Sequence, residues 1–107
     1  MKPRHYVYVI QHNRQVLVEP KFLRANPGYQ DGKPCVYVGM TGLDPDLRFD
    51  QHKAGIRANR YAQAYGECLD VACMAELRQP MTASDAKYNE VDLAIRLRKR
   101  GWAVWQA

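Results

Sequence analysis

The stretch PCVYVGMTGLDPDLRFDQHKAG, residues 34–55, opens as an apolar strand ending in glycine and closes as a polar helix carrying Arg48 and His52. Residues four apart on a helix share a face, so the guanidinium and the imidazole are set to meet one target. Farther along, at about 100° per residue, Ala83, Ala86, Leu93, Ala94 and Leu97 fall in one arc with Glu90 near its middle. Asn89, Asp92, Arg96, Lys99 and Arg100 take the opposite, solvated side. A carboxylate inside an apolar arc is costly unless a cation, a metal ion or several hydrogen bonds attend it. The plain alternatives are a structural ion pair for Glu90 and, for Arg48 and His52, two surface residues at helical spacing. Lys53, Arg57 and Arg60 extend the positive charge past His52, which suits phosphate contacts or simple solvation.

The elements that must position these residues follow from punctuation. YVYVI, Tyr6 to Ile10, and CVYVG, Cys35 to Gly39, are β-branched or aromatic almost throughout and read as strands buried on both faces. Tyr8 and Tyr37 lie on them, each as readily a core tyrosine as a chemical one. Asp44 as cap, Pro45 at the first position and Gly55 as stop predict a helix over Pro45–Ala54. A shorter helix is expected from Ala58 to Tyr65, a third strand within Cys68–Leu77, a helix from about Ala83 to Arg100 ended by Gly101, and a last strand in WAVWQ. Between the first two strands runs a connection at about 11–34, punctuated by Pro20, Pro27-Gly28 and Asp31-Gly32, in which Val16 to Val18 could extend a hairpin. Its Arg14, Lys21, Arg24 and Lys33 could supply substrate contacts or a dimer interface, or the stretch could be a mere insertion; in either case the fold is expected to survive its replacement. The order is not a βαβα alternation, so the expected class is α+β, a small mainly antiparallel sheet flanked by helices.

Taken together, YVYVI, VYVGMTG, LRFDQH and EVDLAIRLRKRGWAV resemble the GIY-YIG nuclease family, whose paired strand motifs precede a helix with arginine and histidine and a later helix with a metal-binding glutamate. The resemblance runs from about residue 5 to the end, apart from the connection. It departs from the family pattern where Tyr6 replaces the opening glycine, where Met40 follows Gly39, and in the length of 11–34. The resemblance implies a small single-domain member over residues 1–107 that hydrolyses phosphodiester bonds in DNA, rather than RNA, with one divalent cation, Mg²⁺ or Mn²⁺. It places Glu90 as the metal ligand, a hard carboxylate for a cation that keeps most of its waters. Tyr8 and Tyr37 would orient or deprotonate the attacking water. Arg48 would meet the phosphate with a fixed two-pronged donor, and His52 would orient Tyr8 or the water. For Gly39, the structural turn at the end of the second motif, the plain reading is that it only allows close approach of strand and helix.

The composition agrees with such a partner without requiring it. Sixteen Lys and Arg against eleven Asp and Glu leave +5, which favours a polyanion. Three cysteines without a CxxC pair fit a reducing, cytoplasmic setting, and no apolar run is long enough for a signal sequence or a membrane span. Two other readings stay open at this point: a nucleic-acid-binding domain that keeps the fold without the chemistry, and a domain that binds a protein partner or a second copy of itself.

Overall fold

The computed structural model describes residues 2–107. The two tyrosine-rich runs form strands β1 (Tyr6–His12) and β2 (Cys35–Thr41), which pair antiparallel with Tyr8 opposite Gly39 and Ile10 opposite Tyr37. Strand β3 (Gly66–Leu69) adds antiparallel to β1, and β4 (Ala103–Gln106) adds parallel to β2, giving the order β3-β1-β2-β4. The sheet is therefore mixed, not mainly antiparallel. The difference comes from the last helix, a crossover that returns the chain to the sheet edge running in the direction of β2.

Both faces of the sheet are covered, which is why the two central strands lack polar alternation. Helix α5 (Ala83–Lys99) packs Ala86, Leu93, Ala94 and Leu97 on Val7, Val9, Val36, Val38 and Val104. Its first turn is capped by Thr82, whose hydroxyl accepts from the Asp85 N–H at 3.2 Å. On the other face lie α1 (Pro20–Arg24), α2 (Pro45–Ala54) and α3 (Arg60–Tyr65). They cover Tyr8, Ile10, Tyr37, Cys35 and Ala103 with Phe22, Phe49, Tyr61 and Ala62. Helix α2 begins and ends where its signals stand, with the Asp44 carboxylate on the Asp46 N–H and Gly55 at φ 80°.

Two expectations are corrected here. The third strand is only four residues long. It stops because the Asp70 carboxylate accepts from the Cys73 N–H at 3.0 Å and starts a helical turn, α4 (Val71–Met74), in the middle of the stretch expected to be extended. The connection, in turn, is neither a hairpin extension nor a dispensable insertion. Asn13 caps a 3-10 turn over Arg14–Val18, and α1 follows with Pro20 at its start. Val16, Phe22 and Asn26 are buried. Asn26 holds the outer edge of β4 much as a neighbouring strand would. Its Oδ1 accepts from the Val104 N–H at 2.7 Å and from Arg98 Nε at 3.1 Å, while its Nδ2 donates to the carbonyls of Val104 and Phe22.

Candidate functional site

The β1/β2 register puts Tyr8, Ile10, Tyr37 and Gly39 on one face of the sheet, with the two phenol rings 6.0 Å apart between centroids. Gly39 is what lets Tyr8 lie there. A Cβ at that position would stand 2.7 Å from Tyr8 Cζ and Oη and 3.0 Å from Tyr37 Cε2, so the Tyr8 ring occupies the space of the missing side chain. The expected close approach at Gly39 is thus between strand and tyrosine rather than between strand and helix.

From the opposite side α2 delivers His52, fully buried, with Nε2 2.8 Å from Tyr8 Oη. Its Nδ1 accepts from the Asn59 backbone N–H at 3.1 Å. An imidazole nitrogen that accepts carries no proton, so the neutral ring bears its proton on Nε2 and donates it to Tyr8 Oη. Burial, helped by the charge of Arg48, pulls the His52 pKa down to about 4, so the ring is neutral at pH 7. His52 therefore steadies the phenol as a donor and does not take its proton. Burial pushes the Tyr8 hydroxyl up despite the nearby Arg48 charge, and burial pushes Tyr37 well above the ordinary tyrosine range. Both phenols stay protonated at neutral pH.

Arg48 stands one turn before His52, as its spacing requires, but its guanidinium is turned along the helix. One nitrogen donates to Gln51 Oε1 at 3.0 Å and the Ile56 carbonyl at 3.2 Å, the other to the Arg57 carbonyl at 2.8 Å. Its charge is nonetheless felt at Tyr8, Tyr37 and His52. The loop it grips includes Arg57 in the left-handed region, φ 46°, an uncommon backbone for a residue with a side chain.

Glu90 lies on α5, across the sheet from this cluster, and is 1% exposed. Its Oε1 accepts from Lys87 Nζ at 3.1 Å and Gln106 Nε2 at 3.0 Å. The paired charge that its position demands is thus supplied by a lysine three residues earlier. Glu90 adds the smallest of the influences on the two phenols, whose rise is due first to their own burial. The β2/β4 ladder ends at the Val38–Gln106 pair, one residue before Gly39.

Among the described residues no group of three or more His, Cys, Asp or Glu side chains could hold a metal ion. A hard cation that keeps its water shell needs fewer protein ligands than that, and a single carboxylate fits it. Both donors to Glu90 fall on Oε1, leaving Oε2 without a side-chain donor among the described residues. Lys87 is 60% exposed, an ammonium that can swing to water at little cost.

The three cations named for phosphate contacts part company. Lys53 is exposed but folds back on the protein, its Nζ donating to the Gln63 and Gly66 carbonyls at 2.7 and 2.8 Å where α3 ends. Arg60 pairs with Glu19 at 3.3 Å and lies over the Tyr61 ring at 5.1 Å from the centroid. Arg57 is exposed. Asn59, Lys87 and Gln106 were not singled out from the sequence. Lys87 was findable as an i,i+3 partner of Glu90 and Asn59 as a helix cap, since its side chain accepts from the Tyr61 and Ala62 N–H groups. Gln106 comes from a different element and carried no signal.

The cavities of about 290, 300 and 270 Å³ lie away from this cluster, lined by residues such as Trp102, His5 and Arg24 respectively. Tyr8 and Tyr37, 1% and 4% exposed, form a packed wall instead of an open pocket. Compared with known proteins, the chain matches no family model, no curated protein and no solved structure.

Proposed function

We propose that this protein is an endonuclease, similar to the GIY-YIG nucleases, that hydrolyses phosphodiester bonds in DNA with the help of a divalent cation, Mg²⁺ or Mn²⁺. The observation that carries the reading is the chain Asn59 N–H to His52 to Tyr8 over Gly39, with Arg48 one turn from His52. Burial alone asks for a partner on each ring nitrogen; what supports the reading is that one of those partners is the hydroxyl of Tyr8, in the strand motif, with the arginine one turn away.

Glu90 would hold the cation, which when bound supplies positive charge to the phosphate and a more acidic water. The chain's own residues do the rest. Arg48 exchanges the Ile56 and Arg57 carbonyls for phosphate oxygens, a gain because charge-assisted bonds to an anion are stronger than those to neutral carbonyls. Tyr8, held by the His52 Nε2–H, and Tyr37 beside it orient the attacking water with hydroxyls that stay protonated.

The test is cleavage of labelled branched, nicked and linear DNA with Mg²⁺, with Mn²⁺ and with chelator, for the native chain and for Arg48→Ala. Metal-dependent cutting that falls on the order of a hundredfold or more in the variant is expected. Cutting that survives chelation, or that Arg48→Ala leaves unchanged, refutes the assignment. A second reading, a nucleic-acid-binding domain without chemistry, is favoured by one observation: Lys87 already neutralises Glu90, and Gln106 hydrogen-bonds the same oxygen. It predicts DNA binding with no cleavage under any metal.

A further inference from the structure

The connection between β1 and β2 carries a second cluster of charge, separate from the tyrosine–histidine site. A cavity of about 270 Å³ is lined by Glu19, Pro20, Lys21, Arg24, Arg60 and Tyr61. Lys21 and Arg24 stand three apart on α1, hence on one side of it, and both are exposed. Among the described residues neither makes an ion pair, whereas Glu19 is committed on both oxygens, Oε1 to Arg60 and Oε2 to the Tyr65 hydroxyl at 2.7 Å. Three cations against one carboxylate leave this cavity at +2, a large part of the +5 of the whole chain.

The cluster is built on a rigid base. Phe22, between Lys21 and Arg24, is buried with its ring edge-on to Tyr61 at 5.5 Å and stacked on Trp105 at 6.4 Å. Arg60 lies over Tyr61, the edge-on partner of that ring. The next residue, Ala62, packs into the group that contains Tyr8 and Tyr37, so the cavity and the candidate site are on the same face of the sheet. Two unpaired cations projecting from one side of a short helix with apolar support behind it, next to Arg60 over the Tyr61 ring, suit phosphate oxygens.

Resting on the nucleic-acid reading above, we propose that α1 and Arg60 form a backbone clamp that grips DNA phosphates at a distance from the bond that is cut. The molecule is 41 Å along its longest axis, about a dozen base pairs at 3.4 Å each, so one duplex can engage both places. The clamp explains what the long connection contributes, which is affinity without sequence preference.

The experiment compares the native chain, Lys21→Gln/Arg24→Gln, and a control with the same charge loss on the α5 side, Lys99→Gln/Arg100→Gln. Binding of a 24-base-pair duplex is followed by fluorescence anisotropy from 50 to 300 mM KCl without divalent metal, and melting curves confirm that each variant is folded. Loss of two phosphate contacts lowers the slope of log Kd against log salt by about 2. We expect that change, and at least tenfold weaker binding at 100 mM KCl, for the α1 variant, with a slope change under about 0.5 for the control. Equal effects from the two pairs reduce the clamp to overall charge and overturn it. Native-like binding by the α1 variant also overturns it while leaving the nuclease reading standing. A native chain that binds no DNA overturns both.

Discussion

Gly39→Ala tests the arrangement at its tightest point. The backbone itself permits the change, because Gly39 is in an ordinary strand and not among the glycines at positive φ, and replacing a mid-strand glycine contributes about 0.5–1 kcal/mol in favour of the folded state. The new methyl meets Tyr8 Cζ and Oη at 2.7 Å and Tyr37 Cε2 at 3.0 Å. Comfortable carbon contacts need about 3.5–4.0 Å, so the Tyr8 ring must move by roughly 1 Å. It cannot move into solvent, since it is fully buried between β2 and His52. A shift of that size breaks the 2.8 Å bond to His52 and orphans the Nε2–H. Overpacking costs about 1–3 kcal/mol and a buried, unsatisfied donor about 1–3 more. Set against the backbone gain, the net loss is about 1–5 kcal/mol, which for a chain of this size lowers Tm by roughly 5–30 °C. Thermal denaturation followed by circular dichroism measures it. Repeating Gly39→Ala in a Tyr8→Ala background closes a double-mutant cycle, and the cost should nearly vanish there because the clash is gone. A Gly39→Ala protein as stable as the native one, or an equal cost in both backgrounds, refutes the account of why glycine stands opposite Tyr8.

Three further outcomes are expected. His12 and His52 are both buried and both drawn down to a pKa of about 4 from 6.5. Below pH 6.5 the unfolded chain takes up protons that the folded chain refuses, so stability is full above pH 6.5 and is lost as the pH falls towards 4, by about 3 kcal/mol for each histidine. Denaturant melts at pH 7 and pH 4.5 read this. His12→Leu, which also removes two buried ring nitrogens without hydrogen-bond partners, should raise stability at pH 7 and halve the slope, and an unchanged slope would contradict the assignment. Glu90→Gln should cut metal-dependent cleavage on the order of a hundredfold or more while leaving metal-free DNA binding intact. Its stability cost should stay near 1 kcal/mol, because the cation left behind, Lys87, is exposed, and a large loss of Tm with unchanged specific activity would mark Glu90 as structural. Replacing residues 13–32 by a Gly/Ser linker should abolish cooperative unfolding, because Phe22 alone stands for about 3–5 kcal/mol and Asn26 secures the edge of β4; a sharp, native-like transition would show otherwise.

What could be read from the chain, and what could not, divides by the range of the interaction. Tyr6–Ile10 and Cys35–Gly39 announced central strands because residues buried on both faces lose their polar alternation. Helices α2 and α5 announced themselves through Asp44, Pro45, Gly55 and Gly101 and through the arc that holds Glu90, all local signals. The parallel pairing of β4 was not legible, since the direction of an edge strand depends on where the crossover sets it down. The connection misled for a related reason. Phe22 and Asn26 are single residues in a polar, turn-rich run, and their partners, Tyr61, Trp105 and Val104, lie about 40 to 80 residues away. The hydrogen bond that sets the His52 tautomer comes from a backbone N–H, which every residue but proline has, so no side-chain pattern could disclose it.

The fold also moves the weight of the functional case from one residue to another. In the sequence, the strongest physical clue was Glu90, a carboxylate in an apolar arc that had to have a positive partner. Lys87 is that partner, so burial of Glu90 no longer demands a metal. The His52 cluster gains the weight that Glu90 loses. An imidazole buried completely, kept neutral, is expensive to desolvate, and the same space filled by an apolar ring would hold α2 to the sheet at least as well. Instead the fold adds a capped loop to satisfy Nδ1 and removes a side chain at position 39 so that a phenol can meet Nε2. Three separate elements thus converge on placing one proton between His52 and Tyr8, beside an arginine whose bonds to two carbonyls an anion can replace. A buried imidazole needs both partners in any fold, and on the nuclease proposal the same convergence also sets the Tyr8 hydroxyl beside the arginine that meets the phosphate.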